Sequence, residues 1–235
     1  MKFKDIIKGI FFPQRCEICG SIKPLNMPCC DKCGIDSNAI SASACPDCGH
    51  EKCMCQSGAN VHLPHFTAVY YYQGQIKRSL LSFKFSGDSI YGNIFGKAMA
   101  DRIAEVYSDV AFDGICFVPM TKKAVRVRGY NQSELLASEI SSRLNIPLMP
   151  ILKKTRDSQN QKQLNSTERY ENIKDSFALI GNCNIEGKTL LLCDDIKTTG
   201  STLRECCDTL LKCGAKDVYC ICLALTPYLK YTDLF

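Results

Sequence analysis

From about residue 66 onward the chain alternates short apolar runs with amphipathic stretches. Phe66 to Tyr72 is aromatic and β-branched and predicts a strand, which Gly74 breaks. Ile76, Leu80, Leu81 and Phe83 recur at helical spacing, with Lys77, Arg78 and Lys84 interspersed. A second helical stripe runs through Ile94, Met99, Ile103 and Val106 across Ile90 to Tyr107. Gly114 to Met120 predicts a buried strand ending in Pro119, and Asn131 to Arg143 a helix with Leu135, Leu136 and Ile140 inward. Leu148 to Leu152 and Phe177 to Ile180 read as strands. The last unit is a strand over Thr189 to Ile196, a helix over Ser201 to Lys212 and a strand over Val218 to Leu225. This alternation predicts an α/β fold: a parallel sheet flanked by helices, with ligands at the C-terminal ends of the strands. Pro119 and the loop after Ile196 fall on that edge. Lys154 to Asp175 is polar and aperiodic, the pattern of a lid or a disordered loop.

The first 60 residues do not follow this rhythm. Ile6, Ile7, Ile10 and Phe11 form one short helical stripe, which predicts docking on the body. Val61 to Pro64 reads as a linker, so residues 1–60 form a small module and 61–235 the main domain. With 235 residues, 46% hydrophobic, the chain can build one sizeable core plus that module. No apolar run approaches the ~20 residues of a membrane span. Ile6 to Phe12 is short and cut by Lys8, so no signal peptide is expected.

Cysteine usage sharpens the division. Nine of the 17 cysteines lie between Cys16 and Cys55; the other eight are scattered through apolar segments. That pattern predicts zinc thiolates in front, buried free thiols behind and a cytoplasmic protein. The front cysteines pair as Cys16-x-x-Cys19, Cys30-x-x-Cys33, Cys45-x-x-Cys48 and Cys53-x-Cys55. Two thiolates on a tight turn can share a tetrahedral zinc, and four close a structural site. Sequence proximity groups Cys16, Cys19, Cys30 and Cys33 in one site and Cys45, Cys48, Cys53 and Cys55 in another. An interleaved pairing stays open, as does Cys29 in place of Cys30. His50 is near enough to compete as a ligand, although Gly49-His50 reads as a solvated turn. A segment this short and polar needs metal for its folding energy. Four clustered pairs indicate metal better than a catalytic dithiol.

Charge adds one asymmetry. The net charge is +5, yet Thr121 to Lys174 carries 11 Lys and Arg against 5 Asp and Glu, a net of +6. Such a region suits a nucleic-acid face or the anion-binding side of a phosphate site. Residues 1–60 hold 7 basic and 6 acidic groups, which argues against a strong grip on DNA by the module alone.

The densest chemistry lies in Leu190-Leu191-Leu192-Cys193-Asp194-Asp195-Ile196-Lys197-Thr198-Thr199-Gly200-Ser201-Thr202. It predicts a strand, a turn and a helix N-terminus, which presents free N–H groups to an anion. Thr198, Thr199, Gly200, Ser201 and Thr202 would cradle a phosphate. Asp194 and Asp195 would repel phosphate but accept from sugar hydroxyls. Together they describe a ribose-5-phosphate site. The basic stretch Pro119 to Gln132 is expected to be a loop facing this nest. It offers Lys122, Lys123, Arg126 and Arg128 to a second anion. Arg156, Gln161, Arg169 and Asn172 on the polar segment are candidates for closing over it.

The apolar–acid–acid–x–x–Thr-Thr-Gly-x-Thr pattern resembles the diphosphate-sugar (PRPP) motif of the phosphoribosyltransferases. Further segments narrow the resemblance: Phe12-Pro13-x-Arg15-Cys16-x-x-Cys19, Phe83-Lys84-Phe85, Arg126-x-Arg128-Gly129-Tyr130-Asn131-Gln132-x-x-Leu135-Leu136-Ala137, Arg156-Asp157-x-x-x-Gln161, Glu168-Arg169-x-x-Asn172 and Phe177. Together they resemble the ComF family across nearly the whole chain. The resemblance implies a type I phosphoribosyltransferase-like domain behind N-terminal cysteine zinc ribbons. It implies PRPP with Mg²⁺ as ligand, Asp194 and Asp195 as the catalytic acids, and a link to natural competence. Single-stranded DNA and a competence helicase are the partners it suggests, with Tyr130 and Tyr170 available for stacking. Cys53-x-Cys55 departs from the usual knuckle spacing. No residue stands out as a general base, and the acceptor is not specified.

Overall fold

Leu190, Leu191, Leu192 and Cys193 are all fully buried. Successive strand residues point to opposite faces, so this run requires cover on both sides of its sheet. A computed structural model supplies that cover; it describes residues 16, 21–23, 30, 38–53, 55, 63, 65–86, 89–156, 174–181 and 183–227. The elements in chain order are β1 (Phe66–Tyr71), α1 (Gly74–Ser86), α2 (Ser89–Val106), β2 (Gly114–Phe117), α3 (Lys122–Arg128), α4 (Gln132–Leu144), β3 (Leu152–Lys154), β4 (Phe177–Leu179), β5 (Thr189–Lys197), α5 (Ser201–Lys212) and β6 (Asp217–Leu225).

Four strands form a parallel sheet in the order β1-β6-β5-β2, with Cys193 opposite Phe117 on one side and Ile221 on the other. Helices α1, α2 and α4 cover one face, packing Leu80, Met99, Leu136 and Ile140 against Leu191, Cys193 and Ile221. Helix α5 covers the other face, where Leu203, Cys206 and Leu210 meet Leu190, Leu192 and Cys220. This is the expected parallel sheet flanked by helices. No helix among the described residues is long and apolar enough to cross a membrane.

Several expectations need correction. The run Leu148 to Leu152 does not become a strand of the sheet. Ile115 donates to the Pro147 carbonyl at 2.9 Å and accepts from Met149 N at 2.7 Å, and the pairing stops there. Pro147 and Pro150 lack the N–H groups that would extend it. The chain instead forms β3, which pairs antiparallel with β4 as a separate ribbon. The stretch Pro119 to Gln132 is not a plain loop, because it contains α3. Thr121 caps that helix by accepting from Ala124 N at 3.3 Å, and Gly129 ends it in the left-handed conformation. Clustered like charges and the absence of any buried residue hid the helix from a periodicity reading. Among the eight rear cysteines, Cys183 and Cys213 are exposed rather than buried. The other six are buried small apolar groups, and burial pushes the Cys116, Cys193, Cys206, Cys220 and Cys222 thiols up. Cys220 is raised further, and chiefly, by its contact with the Cys207 sulfur at 3.2 Å.

The cysteine-rich segment is stitched to the body. Ile40 N donates to the Val69 carbonyl at 2.9 Å and Tyr71 N to the Asn38 carbonyl at 2.7 Å, so residues 38–40 cover the β1 edge. The buried Arg102 of α2 donates to the Ile40 carbonyl. Phe66 N reaches the Pro46 carbonyl at 2.6 Å, and Leu63 is fully buried in the core beside Ile40. Gly49 makes the tightest approach. Its φ is +80°, and a methyl group on it would run into the Phe66 ring and approach Leu225. We expect Gly49→Ala to combine backbone strain with overpacking and to cost about 1–3 kcal/mol. Urea unfolding monitored by circular dichroism measures this, and a wild-type midpoint for the variant would contradict the docking described here.

Candidate functional site

Strand β5 ends at the sheet edge with Asp194 and Asp195, adjacent along the chain. Asp194 is 8% exposed. Its Oδ1 accepts from Ser133 Oγ at 2.7 Å and from Asp195 N at 2.9 Å, so Oδ2 is the oxygen a ligand hydroxyl would meet. Asp195 Oδ2 lies 3.2 Å from Lys84 Nζ of α1. Burial, then the Asp195 charge, pushes the Asp194 carboxyl up to about 7, and the Ser133 bond, the Asp195 N–H and Lys84 act the other way. Two acids in nearly one place are thus divided: one is poised to hold a proton and the other is ion-paired.

The turn after β5 has the expected form. Gly200, at φ +87°, is the N-cap of α5 and offers no side-chain cap. No acid lies in the first turn, so its N–H groups face the sheet edge under a positive helix-end potential. Thr199 Oγ1 and Ser201 Oγ are 3.0 Å apart, and Ser201 N also reaches Thr199 Oγ1 at 3.5 Å. Thr198 is exposed, while Thr199 and Thr202 are half-buried.

The segment Arg128 to Ser133 explains itself by its bonds. Arg128 donates to Gln132 Oε1 at 2.8 Å, and the Tyr130 hydroxyl donates to the Phe83 carbonyl of α1. Asn131 caps α4, accepting from Ser133 N at 3.1 Å while its amide donates to the Val118 carbonyl at 3.0 Å. That cap fixes Ser133 beneath Asp194. Lys122, Lys123 and Arg126 are exposed on α3, which follows β2 on the same sheet edge as the acids, whereas Arg128 is half-buried. Arg156 is held at the foot of the β3–β4 ribbon, donating to Ser176 Oγ at 3.1 Å and to the Lys174 carbonyl. Gln161, Arg169 and Asn172 lie outside the described residues.

Of the two cysteine sets, Cys45, Cys48, Cys53 and Cys55 come together, with all four Sγ atoms within 4.8 Å of one another. Cys45 and Cys55 sulfurs are 3.7 Å apart. Zn–S bonds of ~2.3 Å at tetrahedral angles place sulfurs ~3.8 Å apart, so the donor set fits zinc. Burial alone would raise the Cys45 thiol, but the Cys48 and Asp47 backbone N–H groups and the Cys53 and Cys48 thiols bring it down to about 7. The irregular Cys53-x-Cys55 spacing is therefore compatible with a four-thiolate site. His50 is not on a solvated turn: it is 3% exposed and stacks on Tyr71 at 6.0 Å. Among the described residues its buried Nε2 has no hydrogen-bond partner, and burial, then Lys197, pushes its pKa down. Cys16 and Cys30 are buried, with Cys16 N bonded to the Ser21 carbonyl at 2.6 Å. Cys19 and Cys33 lie outside the described residues.

Three side chains escaped assignment from the sequence. Lys84 stood in a quoted tripeptide without a role. Ser133 was given no role, although its place two residues after the capping Asn131 was the available clue. Lys197, inside the acid–hydroxyl motif, is almost fully buried.

A family of phosphoribosyl transferase domains matches residues 131–232. Competence protein ComFC of Bacillus subtilis is 29% identical over 196 residues, spanning 79% of this chain and 78% of that protein. Competence protein F of Haemophilus influenzae is 38% identical over 93 residues, 39% of this chain and 41% of that protein. DNA utilization protein YhgH of Escherichia coli K12 is 26% identical over 227 residues, 91% of this chain and 98% of that protein. With a four-cysteine cluster docked on a parallel sheet that ends in an acid pair and an uncapped helix, the chain is similar to the competence and DNA utilization proteins of the ComF type, and its residues 131–232 match a phosphoribosyl transferase domain.

Proposed function

We propose that the chain binds PRPP at the β5–α5 turn and transfers or senses its phosphoribosyl group in the service of DNA uptake; the names of its relatives carry competence and DNA utilization. The observation that carries this reading is an acid pair, Asp194 buried and Asp195 half-buried, beside an uncapped helix N-terminus on one sheet edge. The 5′-phosphate would take the N–H groups and hydroxyls of Thr198 to Thr202. The ribose hydroxyls would donate to Asp194 and Asp195, whose charge also opposes the positive charge of a cation-like sugar as diphosphate leaves its anomeric carbon. Lys122, Arg126 and Arg128 would face the leaving diphosphate. Lys84 would hold Asp195 in place. Mg²⁺ bound with the ligand, mostly through sugar and phosphate oxygens and water, supplies charge neutralisation at the diphosphate. Gln161, Arg169 and Asn172, with Arg156 at the base of their segment, would close over it. Zinc at Cys45, Cys48, Cys53 and Cys55, and at Cys16, Cys19, Cys30 and Cys33, would be structural.

A second reading is a single-stranded-DNA-binding accessory, with a helicase partner, that uses the fold without turnover. Helix α3 favours it: Lys122, Lys123 and Arg126 are exposed beside Val127, which is 84% exposed.

Four outcomes follow. In calorimetry with Mg²⁺, replacing both Asp194 and Asp195 by Ala should abolish PRPP binding, and unchanged affinity would sink the assignment. Asp194 should need to be ionised to accept from ribose, so PRPP affinity should fall about tenfold per pH unit below about 7. Asp194→Asn should bind weakly with no such dependence. The sign for stability is opposite. The folded pKa is raised above the usual 3.8, so this group's contribution is greatest when protonated and is lost as pH rises from about 4 through about 7. Asp194→Asn should therefore unfold at higher temperature than wild type near pH 8, and a lower Tm there would show that Asp194 is not strained by burial. For the second reading, single-strand affinity should be salt-dependent. Replacing Lys122, Lys123 and Arg126 by Ala should reduce the slope of log K against log salt by about 2; a slope untouched by the triple change removes α3 as the contact.

A further inference from the structure

Lys197 is the last residue of β5 and the neighbour of Thr198. It is 1% exposed, a rare state for a lysine. Its Nζ lies 4.9 Å from the centroid of the Phe66 ring and donates to the Cys48 carbonyl at 3.3 Å. Its own carbonyl accepts from Thr226 N at 2.9 Å, which fixes the backbone where the 198–202 turn begins. Among the described residues no carboxylate pairs with it. A buried ammonium needs a counter-charge. The bond to the Cys48 carbonyl brings it to the four-cysteine cluster, and zinc held by four thiolates would carry a net charge of about −2. The knuckle bearing Cys48 is pressed onto Phe66 and Leu225 at Gly49, so it has little freedom to move independently of Lys197.

We propose that Lys197 is a positioning residue that couples metal occupancy of Cys45, Cys48, Cys53 and Cys55 to the Thr198–Thr202 turn, so that zinc and PRPP bind with positive cooperativity. The inference rests on the PRPP reading above. Its physical content is simple. The tetrathiolate charge and the Cys48 carbonyl hold the ammonium, the ammonium holds the end of β5, and the end of β5 sets where the turn's N–H groups lie. Without metal the four sulfurs are no longer crosslinked, the Cys48 carbonyl is no longer held against the ammonium, and the turn loses its fixed starting point.

The test uses the full-length protein. Zinc affinity is measured by competition with a chromophoric chelator, with and without saturating PRPP and Mg²⁺. PRPP affinity is measured by calorimetry on zinc-loaded and zinc-depleted protein. In the wild type both affinities should tighten by one common factor, about fivefold or more, because linkage is reciprocal. In Lys197→Met the factor should fall to near one, while cobalt substituted for zinc still gives tetrathiolate charge-transfer and ligand-field bands. Lys197→Arg, which keeps the charge, should restore part of the factor. Wild-type protein that binds both ligands with no linkage, or Lys197→Met with wild-type linkage, overturns the coupling. If Lys197→Met fails to assemble the cobalt site, the wild-type linkage and the Arg variant decide. Zinc-loaded wild type that binds no PRPP overturns the sugar-diphosphate reading itself, and the coupling with it.

Discussion

Two carboxylates follow one another at the end of β5, and burial beside a like charge opposes ionisation of the first, Asp194. Much of the surrounding structure answers that constraint. Ser133 and the Asp195 N–H hold Asp194, and Lys84 neutralises Asp195. Each helper is itself held. Asn131 caps α4 and ties it to the end of β2, which sets Ser133; Tyr130 ties the same segment to α1, which carries Lys84. A sugar with vicinal hydroxyls would offer the pair further donors. A carboxyl held at a cost to local stability is a common arrangement at functional positions.

The same strand ends in a further charged side chain, Lys197. Asp194 and Asp195 look toward α4 and α1, whereas Lys197 lies against Phe66 and the Cys48 carbonyl. The cysteine segment is thus part of the sheet's construction. It covers the β1 edge through residues 38–40, fills a gap with Ile40 and anchors α2 through Arg102. Metal in this cluster would stabilise an edge of the main fold as well as the knuckle.

The sheet and its helices were legible because both-face burial writes continuous apolar runs, as in Leu190 to Cys193, and amphipathic helices write 3.6-residue stripes. The acid pair and the hydroxyl turn were legible because their chemistry is carried by adjacent residues. What the sequence hid depended on distance or on the absence of a core face. Helix α3 buries nothing and so has no periodicity. The β3–β4 ribbon replaced an expected sheet strand because Pro147 and Pro150 interrupt the ladder, a local rule that the apolar run masked. Lys84 and Ser133 join the site from positions 111 and 61 residues away from their partners in the numbering, and nothing local marks them. Strand alternation from Asp195 puts Lys197 on the side of Lys84, yet it faces the cysteine cluster. His50 was misread as solvated because a Gly-His pair says nothing of the Tyr71 ring that covers it.

The most direct test of this account is a crystal structure of the zinc-loaded protein with PRPP and Mg²⁺. The ribose hydroxyls should lie within hydrogen-bond distance of Asp194 Oδ2 and Asp195, with the 5′-phosphate against the N–H groups at Thr199 to Thr202 and Ser133 still bonded to Asp194. A phosphoribosyl group bound elsewhere, or one whose hydroxyls leave both acids untouched, would contradict it.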